Sequence, residues 1–586
     1  MLFDVLARNS AEGSKWSVLL GLLGHRRYKA GHDREPDLPA QGEQALRTKK
    51  NRNWNERGLL AAAVALLLAL QGCGGGGGRA GDPLVGPSPG SGSSGGGGSG
   101  GGSSGSGSEP IKPSSTYAQQ CAPGNMLAPA ARRTASLGTE KQWLRAYYDE
   151  AYLWRDQVPQ LNADAAAYSG SDVQQALQAY FDDLRTPQLT ASGARRDRFS
   201  FMVPEQEWQQ EMQAGVAAGY GLRWSMGSPT PPRNLRVAYV EPGSPAALAG
   251  LQRGDRLVTV DGVSADANDR TGVDKLNAAL YPGASGETHN FVFTTRDGIA
   301  RSMSLVSAQL NTNAVPMARV LNAADGAKVG YLVFTTHIQT AEQGLIDAVR
   351  GFSAAGVSEL VLDLRYNGGG YLYLASELAY MIAGAQPTNG RTFEQLRYNA
   401  RRSTENESTP FYNQSCLPVN GKCSTPQNLP TLNLRRLYVL SQSGTCSASE
   451  ALINGLRGVD VEVRLVGGRT CGKPYGFSGQ ENCGNRFLPI EFEGVNAKGF
   501  GDYSDGFIPA SSQPGTGVPG CQVADDLSRD LGDVREGQLA AALQHRLNGS
   551  CPPVSVQSQQ ARHSALPGLA ISEGPQLRNN RFLGVR

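Results

Sequence analysis

The chain lacks a charge excess of either sign. Its 586 residues contain 55 lysines and arginines against 52 aspartates and glutamates, so the formal net charge is only +3. A protein that binds nucleic acid through the phosphate backbone carries a clear basic excess, so this composition argues against a nucleic-acid partner. A phosphate-binding P-loop is also missing from the sequence. We therefore expect neither ATP nor another cofactor.

Cysteine spacings typical of zinc sites are absent as well. None of the nine cysteines belongs to a CxxC motif with a nearby histidine, so we expect no metal. Setting aside Cys73, treated below, leaves eight, an even number that suits disulfides in an exported protein. The expected pairs are Cys416/Cys423, Cys471/Cys483 and Cys521/Cys551. Cys446 is left either free or paired with a neighbour such as Cys471.

The apolar run at residues 59–70 is too short to span a membrane. It has twelve residues, whereas a membrane-spanning helix needs about 20. Because a basic stretch at 47–57 precedes it, the pattern is typical of a secretory signal peptide. The run ends in Leu70-Gln71-Gly72-Cys73, which resembles a bacterial lipobox. We interpret residues 1–73 as an N-terminal extension plus a lipoprotein signal peptide, with Cys73 lipidated in the cell envelope, facing the periplasm or the exterior.

Glycine is concentrated in the segment that follows. Residues 74–108 contain 18 of the 74 glycines. Gly/Ser-rich sequence behaves as a flexible coil, so this segment is expected to be a linker between a membrane anchor and a soluble body. Helix formers and aromatic residues then dominate 142–185, with a second amphipathic stretch at 174–184. We expect a small helical domain at 109–202.

Turn and cap signals follow one another closely at 240–262. Ser244 and Pro245 mark a helix start, Gly250 its end, and Asp261-Gly262 a hairpin turn. The sequence GSPAALAGLQRGDRLVTVDG resembles a PDZ domain, which we place at 203–310. Such domains bind a peptide C-terminus by adding a strand to a sheet edge. The resemblance implies that the peptide carboxylate is held by a loop of Gly219, Tyr220, Gly221 and Leu222.

Strands and helices alternate between residues 311 and 551. We expect strands at 329–335, 360–364, 436–441 and 461–466, with helices at 340–355, 371–383 and 447–456. This alternation predicts an α/β layer with parallel strands, so the whole chain is multidomain α/β. Residues 385–434 are polar and are interpreted as an insertion, and 552–586 as a flexible tail.

Three loops at the carboxyl ends of these strands carry polar motifs, where open α/β sheets gather ligands. They are DLRYNGGG at 363–370, SASE at 447–450 and TCGK at 470–473. In this order, behind a helical region and a PDZ domain, they resemble the C-terminal processing peptidases, the tail-specific proteases of serine peptidase family S41. The resemblance covers about 140–550. It implies a peptidase core of the ClpP/crotonase-like type at 311–551.

The resemblance assigns a role to each motif. Ser447 matches the family's nucleophile and Lys473 its general base. Gly368 or Gly369 matches the loop that forms one side of the oxyanion hole, and the N–H of Ala448 forms the other. A serine hydroxyl needs a base to become nucleophilic. No Asp or Glu lies within seven residues of Lys473, which suits a lysine that must lose its proton to act as that base.

Two features leave alternatives open. Ser447-Ala448-Ser449-Glu450 also fits a helix capping box. Many family members carry a glutamine four residues after the lysine, where this chain has Phe477. Either Glu450 or Gln480 is then the third member of the site, or the dyad works unaided. A histidine-based triad, from His289, His337 or His545, is less favoured.

The sequence therefore supports a lipid-anchored serine endopeptidase that recognises exported polypeptides with apolar C-termini through its PDZ domain. The alternative is a catalytically degenerate PDZ adaptor that only binds such C-termini. Acyl transfer to a non-peptide substrate is a third class, supported only by the generic nucleophile.

Overall fold

The computed structural model describes residues 110–415, 426–510 and 515–553, and the backbone of three short strand segments at 418–419, 422–423 and 580–582. The predicted signal segment, Cys73, the Gly/Ser linker, Cys416 and the side chain of Cys423 lie outside this description, so the predicted Cys416/Cys423 pair is not described. Within the described part of the chain, every helix is too short or too polar to cross a membrane.

The N-terminal helices begin at side-chain caps. Ser136 and Asp172 each accept a backbone N–H from the first turn, at 3.1 and 3.0 Å. Phe487 lies in region 311–551, which is called the peptidase region below because of the sequence resemblance. Its ring centroid is 5.1 Å from that of Trp143 and 6.1 Å from that of Phe181. The predicted helical domain therefore shares one hydrophobic core with the peptidase region. Its elements are α1 (Leu137–Ala151), α2 (Val173–Asp183), β1 (Phe201–Pro204) and α3 (Glu205–Gln209).

A disulfide between Cys121 and Cys483 joins the N-terminal region to the peptidase region. The expected pair Cys471/Cys483 is therefore wrong, because Cys483 reaches a partner 362 residues away and Cys471 pairs with Cys446 instead. The Cys521–Cys551 disulfide is present as expected.

The PDZ region has its own core around an antiparallel sheet of strand order β3-β4-β5-β7-β8, with β6 paired to β5. Ser244 caps its short helix by accepting the N–H of Ala247 at 3.2 Å. The elements are β2 (Val216–Gly219), β3 (Leu222–Ser225), β4 (Arg236–Val240), α4 (Pro245–Leu248), β5 (Arg256–Val260), β6 (Val263–Ser264), α5 (Arg270–Leu280), β7 (Thr288–Thr294), β8 (Ala300–Val306) and β9 (Ala308–Asn311).

The peptidase region is built on a seven-stranded sheet of order β10-β11-β12-β18-β19-β25-β24, parallel except for β10. The predicted strand and helix alternation is present to within a few residues. In chain order its elements are β10 (Met317–Asn322), β11 (Lys328–Val333), α6 (Ala341–Ala355), β12 (Glu359–Asp363), β13 (Gly369–Tyr371), α7 (Leu372–Ala383), α8 (Ala385–Thr388), β14 (Thr392–Tyr398), β15 (Glu407–Pro410), β16 (Pro418–Val419), β17 (Lys422–Cys423), β18 (Arg436–Ser441), α9 (Ala448–Gly458), β19 (Glu462–Gly467), β20 (Tyr475–Gly476), β21 (Gln480–Asn482), β22 (Asn485–Leu488), β23 (Phe492–Val495), β24 (Ile508–Ala510), β25 (Gly517–Gln522), α10 (Gly537–Asn548) and β26 (Asn580–Phe582).

The seven-stranded sheet is buried on both faces. Helices α6, α7 and α9 contribute to the large core on one face, and α10 packs on the other. Parallel sheets need this double cover because their strands are apolar on both sides.

Two further stretches contain strands. The polar stretch 385–434, expected to be an insertion, sends Phe393 and Leu396 of β14 into the core, where β14 pairs with β15 and β23. In the expected flexible tail, Asn580–Phe582 form strand β26, which pairs with β13.

Candidate active site

The three polar loops meet at one edge of the sheet. They follow β12, β18 and β19, which are parallel neighbours, so their carboxyl ends lie side by side. Hydrogen bonds join the loops directly. Cys446 N–H donates to the Asn367 carbonyl at 3.1 Å, and Cys471 N–H donates to the Thr445 carbonyl at 3.0 Å. The Cys446–Cys471 disulfide, the alternative left open for Cys446, then binds the second loop to the third covalently.

Ser447 stands at the sharp turn between β18 and α9. Its backbone has φ 60° and ψ −112°, a conformation that is rare for a residue with a side chain. Strained turns of this kind between a strand and a helix present nucleophilic serines in other hydrolase folds. Ser447 is fully buried. Ala448 begins α9, so its N–H belongs to the first helical turn, whose N–H groups have no acceptor within the helix.

Lys473 is also fully buried, and its amine lies against aromatic rings. The Nζ atom is 4.3 Å from the ring centroid of Phe477 and 5.3 Å from that of Phe199. The ring of Phe477 therefore faces the amine at the position where the sequence resemblance led us to expect a glutamine side chain. Phe199 belongs to the N-terminal region, which therefore helps to enclose the candidate base.

Glu450 connects the nucleophile loop to the base loop. Its Oε2 accepts the backbone N–H of Ser447 at 3.0 Å and that of Lys473 at 2.8 Å. Its Oε1 accepts the Gly472 N–H at 2.8 Å and the Thr470 hydroxyl at 2.6 Å. Burial raises the pKa of Glu450, although the hydrogen bonds from Thr470, Lys473 and Gly472 lower it. The carboxylate half of the predicted capping box is therefore present and also fixes the third loop.

Gln480, the other candidate third member, lies elsewhere. It is exposed on β21 and lines a separate cavity together with Glu491 and Arg402.

The glycine-rich loop is held by Asn367 and His337. The Asn367 Oδ1 atom accepts the N–H of Gly369 at 2.9 Å and lies 3.0 Å from Nδ1 of His337. Burial lowers the pKa of His337 to about 3, so its imidazole is neutral at neutral pH. Since the N–H of Gly369 is already bonded, Gly368 is the better placed of the two glycines to donate to an oxyanion.

A buried ionic network lies directly behind this loop. Arg365 is fully buried and pairs with Asp363 at 2.6 Å and with Asp525 and Glu536 at 2.8 Å. Arg253 of the PDZ region also pairs with Asp525, at 2.6 Å. Burial alone would raise the pKa of Asp525, but Arg365 and Arg253 outweigh it and hold the pKa below its usual value. The PDZ region is thus linked through Asp525 to the loop that carries the candidate oxyanion hole.

The predicted carboxylate loop lines a groove of about 570 Å³ in the PDZ region, between β2, the start of β3 and the end of α5. Gly219, Tyr220 and Leu222 are among its lining residues. Gly221 has φ +77°, and a Cβ there would lie 2.2 Å from the Cβ of Ser244, so this turn requires glycine.

Two side-chain clusters in the described residues have the composition of metal sites. They are Cys521, His545 and Cys551, and Cys446, Glu450 and Cys471. In each cluster the two cysteines are joined in a disulfide, so their sulfur atoms are not thiolate ligands.

Several site residues were not found from the sequence. Phe199 and Arg253 reach the site from other regions of the chain, and no local pattern marks them. His337 was considered only as a catalytic histidine, and its structural contact with Asn367 follows from the placement of two loops. The DLRYNGGG motif was the available signal for Asn367, but it gave no role to the side chain.

Comparison with known proteins agrees with this architecture. Residues 139–201 match the peptidase S41 N-terminal domain, residues 236–293 a PDZ domain, and residues 328–481 peptidase family S41. A carboxyl-terminal-processing protease of Synechocystis is 25% identical over 264 residues, which cover 45% of this chain and 55% of the relative. A chloroplastic carboxyl-terminal-processing peptidase of Arabidopsis thaliana is 26% identical over 281 residues, covering 47% and 50%. The chain thus spans about half the length of the curated relatives it matches.

Solved structures also resemble the chain. A crystal structure of an S41 protease from Bacteroides fragilis is 23% identical and superposes with a TM-score of 0.49, covering 70% of this chain and 97% of that one.

Proposed function

We propose that this chain, which carries a family S41 peptidase domain behind an S41 N-terminal domain and a PDZ domain, is a serine endopeptidase with a Ser447/Lys473 dyad. One observation carries the proposal. A single buried carboxylate, that of Glu450, accepts the backbone N–H of both Ser447 and Lys473 and thereby fixes the two loops against each other. A nucleophile and its base must be positioned in this way before the proton can move.

The dyad works with a neutral lysine. The Lys473 amine takes the proton from the Ser447 hydroxyl as Oγ attacks the scissile carbonyl, and the N–H groups of Gly368 and Ala448 donate to the oxyanion that forms. Each such donor contributes about 3 kcal/mol to the transition state. The Lys473 ammonium then gives its proton to the leaving amine, and an acyl-enzyme on Ser447 remains. Water, deprotonated by the same amine, releases the acyl product.

In this proposal the PDZ groove captures the apolar C-terminus of an exported polypeptide, with the carboxylate at the loop of residues 219–222. The ion pairs of Arg253 and Arg365 with Asp525 make the position of the glycine-rich loop depend on the position of the PDZ region. Lipidation at Cys73 and a tether at 74–108 would keep the peptidase at the membrane surface of the cell envelope.

The direct test measures cleavage of an unfolded protein with an apolar C-terminus by mass spectrometry. We expect activity in the wild type and its loss in Ser447→Ala, Lys473→Ala and Lys473→Arg, because arginine keeps the charge but is not deprotonated. Ser443→Ala, an exposed serine in the same loop, is the matched control and should retain activity. Cleavage by the Ser447→Ala variant would refute the dyad.

Phe477 favours a second candidate, an adaptor that binds C-termini without cleaving them. In that case the wild type binds the substrate but leaves it intact, and Phe477→Gln, which restores the common family residue, gains cleavage. Cleavage by the wild type rejects the adaptor.

A further inference from the structure

A segment from the far end of the chain lies in the candidate active site. Strand β26 (Asn580–Phe582) pairs in parallel with β13 (Gly369–Tyr371), with Asn580 opposite Gly369, Arg581 opposite Gly370 and Phe582 opposite Tyr371. Strand β13 directly continues the glycine-rich loop that contains the proposed oxyanion donor Gly368. The pairing therefore extends from the reaction centre.

The backbone of β13 explains which groups face the segment. On one edge, the N–H of His337 donates to the Gly369 carbonyl at 2.9 Å, and the N–H of Tyr371 donates to the His337 carbonyl at 2.8 Å. Neighbouring residues of a strand direct their N–H and C=O groups to alternate edges. The N–H and C=O of Gly370 therefore face the opposite edge, where β26 lies.

Glycine at position 370 makes this close layering possible. Gly370 has φ +136°, and a Cβ there would lie 2.3 Å from the carbonyl oxygen of His337. A side chain at this position would push β13 away from His337 and disturb the edge that β26 uses.

Strand β26 also approaches a strand that follows the candidate base. It contacts β20 (Tyr475–Gly476), which begins two residues after Lys473. The segment thus contacts both the strand that continues the oxyanion loop and the strand that follows the base.

We propose that the edge of β13 opposite His337 receives substrate polypeptides, and that Asn580–Phe582 occupies this edge in cis as a competitive inhibitor. The proposal rests on the proposed peptidase function. Addition of a strand uses backbone hydrogen bonds, which any sequence can supply, so the tail and a substrate compete for the same Gly370 groups. Because the segment is tethered, its effective concentration at the site is on the order of millimolar, enough to restrain the enzyme even if it binds weakly.

The kinetic test compares the full chain with a variant that ends at Pro553, which retains the Cys521–Cys551 disulfide. We expect the shortened variant to have a KM lower by about three- to tenfold at unchanged kcat, because only a tethered competitor has been removed. Phe582→Pro in the full chain should also lower KM. The N–H of Phe582 faces the Gly370 carbonyl in this register, and proline has no N–H. Equal KM values in all three proteins would refute the proposal.

A binding test keeps this inference separate from the peptidase itself. A labelled peptide of residues 575–586 is titrated into the shortened Ser447→Ala variant and followed by fluorescence anisotropy. The peptide is amidated, so a PDZ loop that needs a carboxylate does not capture it. Saturable binding up to about 5 mM, weakened at least fivefold by proline at the position of Phe582, supports the proposal. Absence of binding overturns it.

Intact-mass measurement of the purified proteins shows whether the tail is an inhibitor or a substrate. If the tail is an inhibitor, the full-length wild type and its Ser447→Ala variant have the expected mass difference of one oxygen atom. A wild type that has lost its tail while Ser447→Ala keeps it shows that the segment is a substrate, which overturns the inhibitor. If neither the full nor the shortened chain cleaves any substrate but the peptide binds, the proposed function fails and the strand site stands.

Discussion

The carboxylate of Glu450 accepts the backbone N–H of Lys473 at 2.8 Å, across 23 residues of sequence. The same oxygen accepts the N–H of Ser447 at 3.0 Å. Through these two bonds Glu450 fixes the main chain from which the lysine side chain extends. The Cys446–Cys471 disulfide bridges the same two loops, so one buried acid and one covalent bond hold the loops of the proposed dyad together.

We expect Glu450→Gln to lower kcat by about 10- to 100-fold, a loss in the range seen when a catalytic group is misplaced. The amide has the same shape as the carboxylate, but each carboxylate oxygen accepts two hydrogen bonds. An NH₂ group accepts none, so two donors lose their acceptor in either orientation of the glutamine. The free energy of unfolding should fall by about 2 kcal/mol. Steady-state kinetics and chemical denaturation measure both, with the exposed Glu407→Gln as the control.

Removing the Cys446–Cys471 disulfide should lower kcat, whereas removing the Cys521–Cys551 disulfide should lower only the stability. The double variant Cys446→Ala/Cys471→Ala opens a loop with a sequence separation of 25, for which chain entropy gives about 3 kcal/mol. Cys521→Ala/Cys551→Ala opens a similar loop, with a separation of 30, outside the three polar loops. We expect similar losses of melting temperature in the two variants but a large loss of kcat only in the first. Equal kcat values would show that the disulfide does not position the dyad.

Arg253→Met tests the link between the PDZ region and the catalytic loop. The substitution removes the ion pair with Asp525 and leaves that carboxylate with the Arg365 ion pair and the hydrogen bond from the Tyr366 hydroxyl. We expect kcat to fall several-fold and the free energy of unfolding by about 3 kcal/mol, as when one partner of a buried pair is lost. Arg256→Met, at an exposed position of the same domain, is the control and should change neither. An unchanged kcat in a destabilised Arg253→Met protein would mean that the contact is only structural.

How much of this could be read from the sequence depends on the range of each interaction. The strands before the motifs, the helix after Ser447 and the Ser244 cap follow from local periodicity and cap chemistry, and they lie within a few residues of the predicted bounds. Glu450 was recognised as part of a capping box, but its bonds to Gly472 and Lys473 depend on where β19 places the third loop. Local spacing favoured Cys471/Cys483, whereas the fold brings Cys121 to Cys483 over 362 residues. Strand β26 is three residues long and pairs through its backbone, so it has no side-chain pattern to detect.

His337 should make the folded chain less stable in acid. Burial lowers the pKa of its imidazole to about 3, whereas an unfolded chain has a histidine pKa of about 6.5. Its contribution is complete above about pH 6.5 and falls as the pH decreases towards 3, because only the unfolded state binds the proton, at about 1.4 kcal/mol per pH unit. Between pH 7 and 4.5, wild type should therefore lose about 2–3 kcal/mol more free energy of unfolding than His337→Gln, whose side chain does not titrate. Urea denaturation at the two pH values measures the difference, and equal losses in the two proteins would show that His337 is protonated in the folded state.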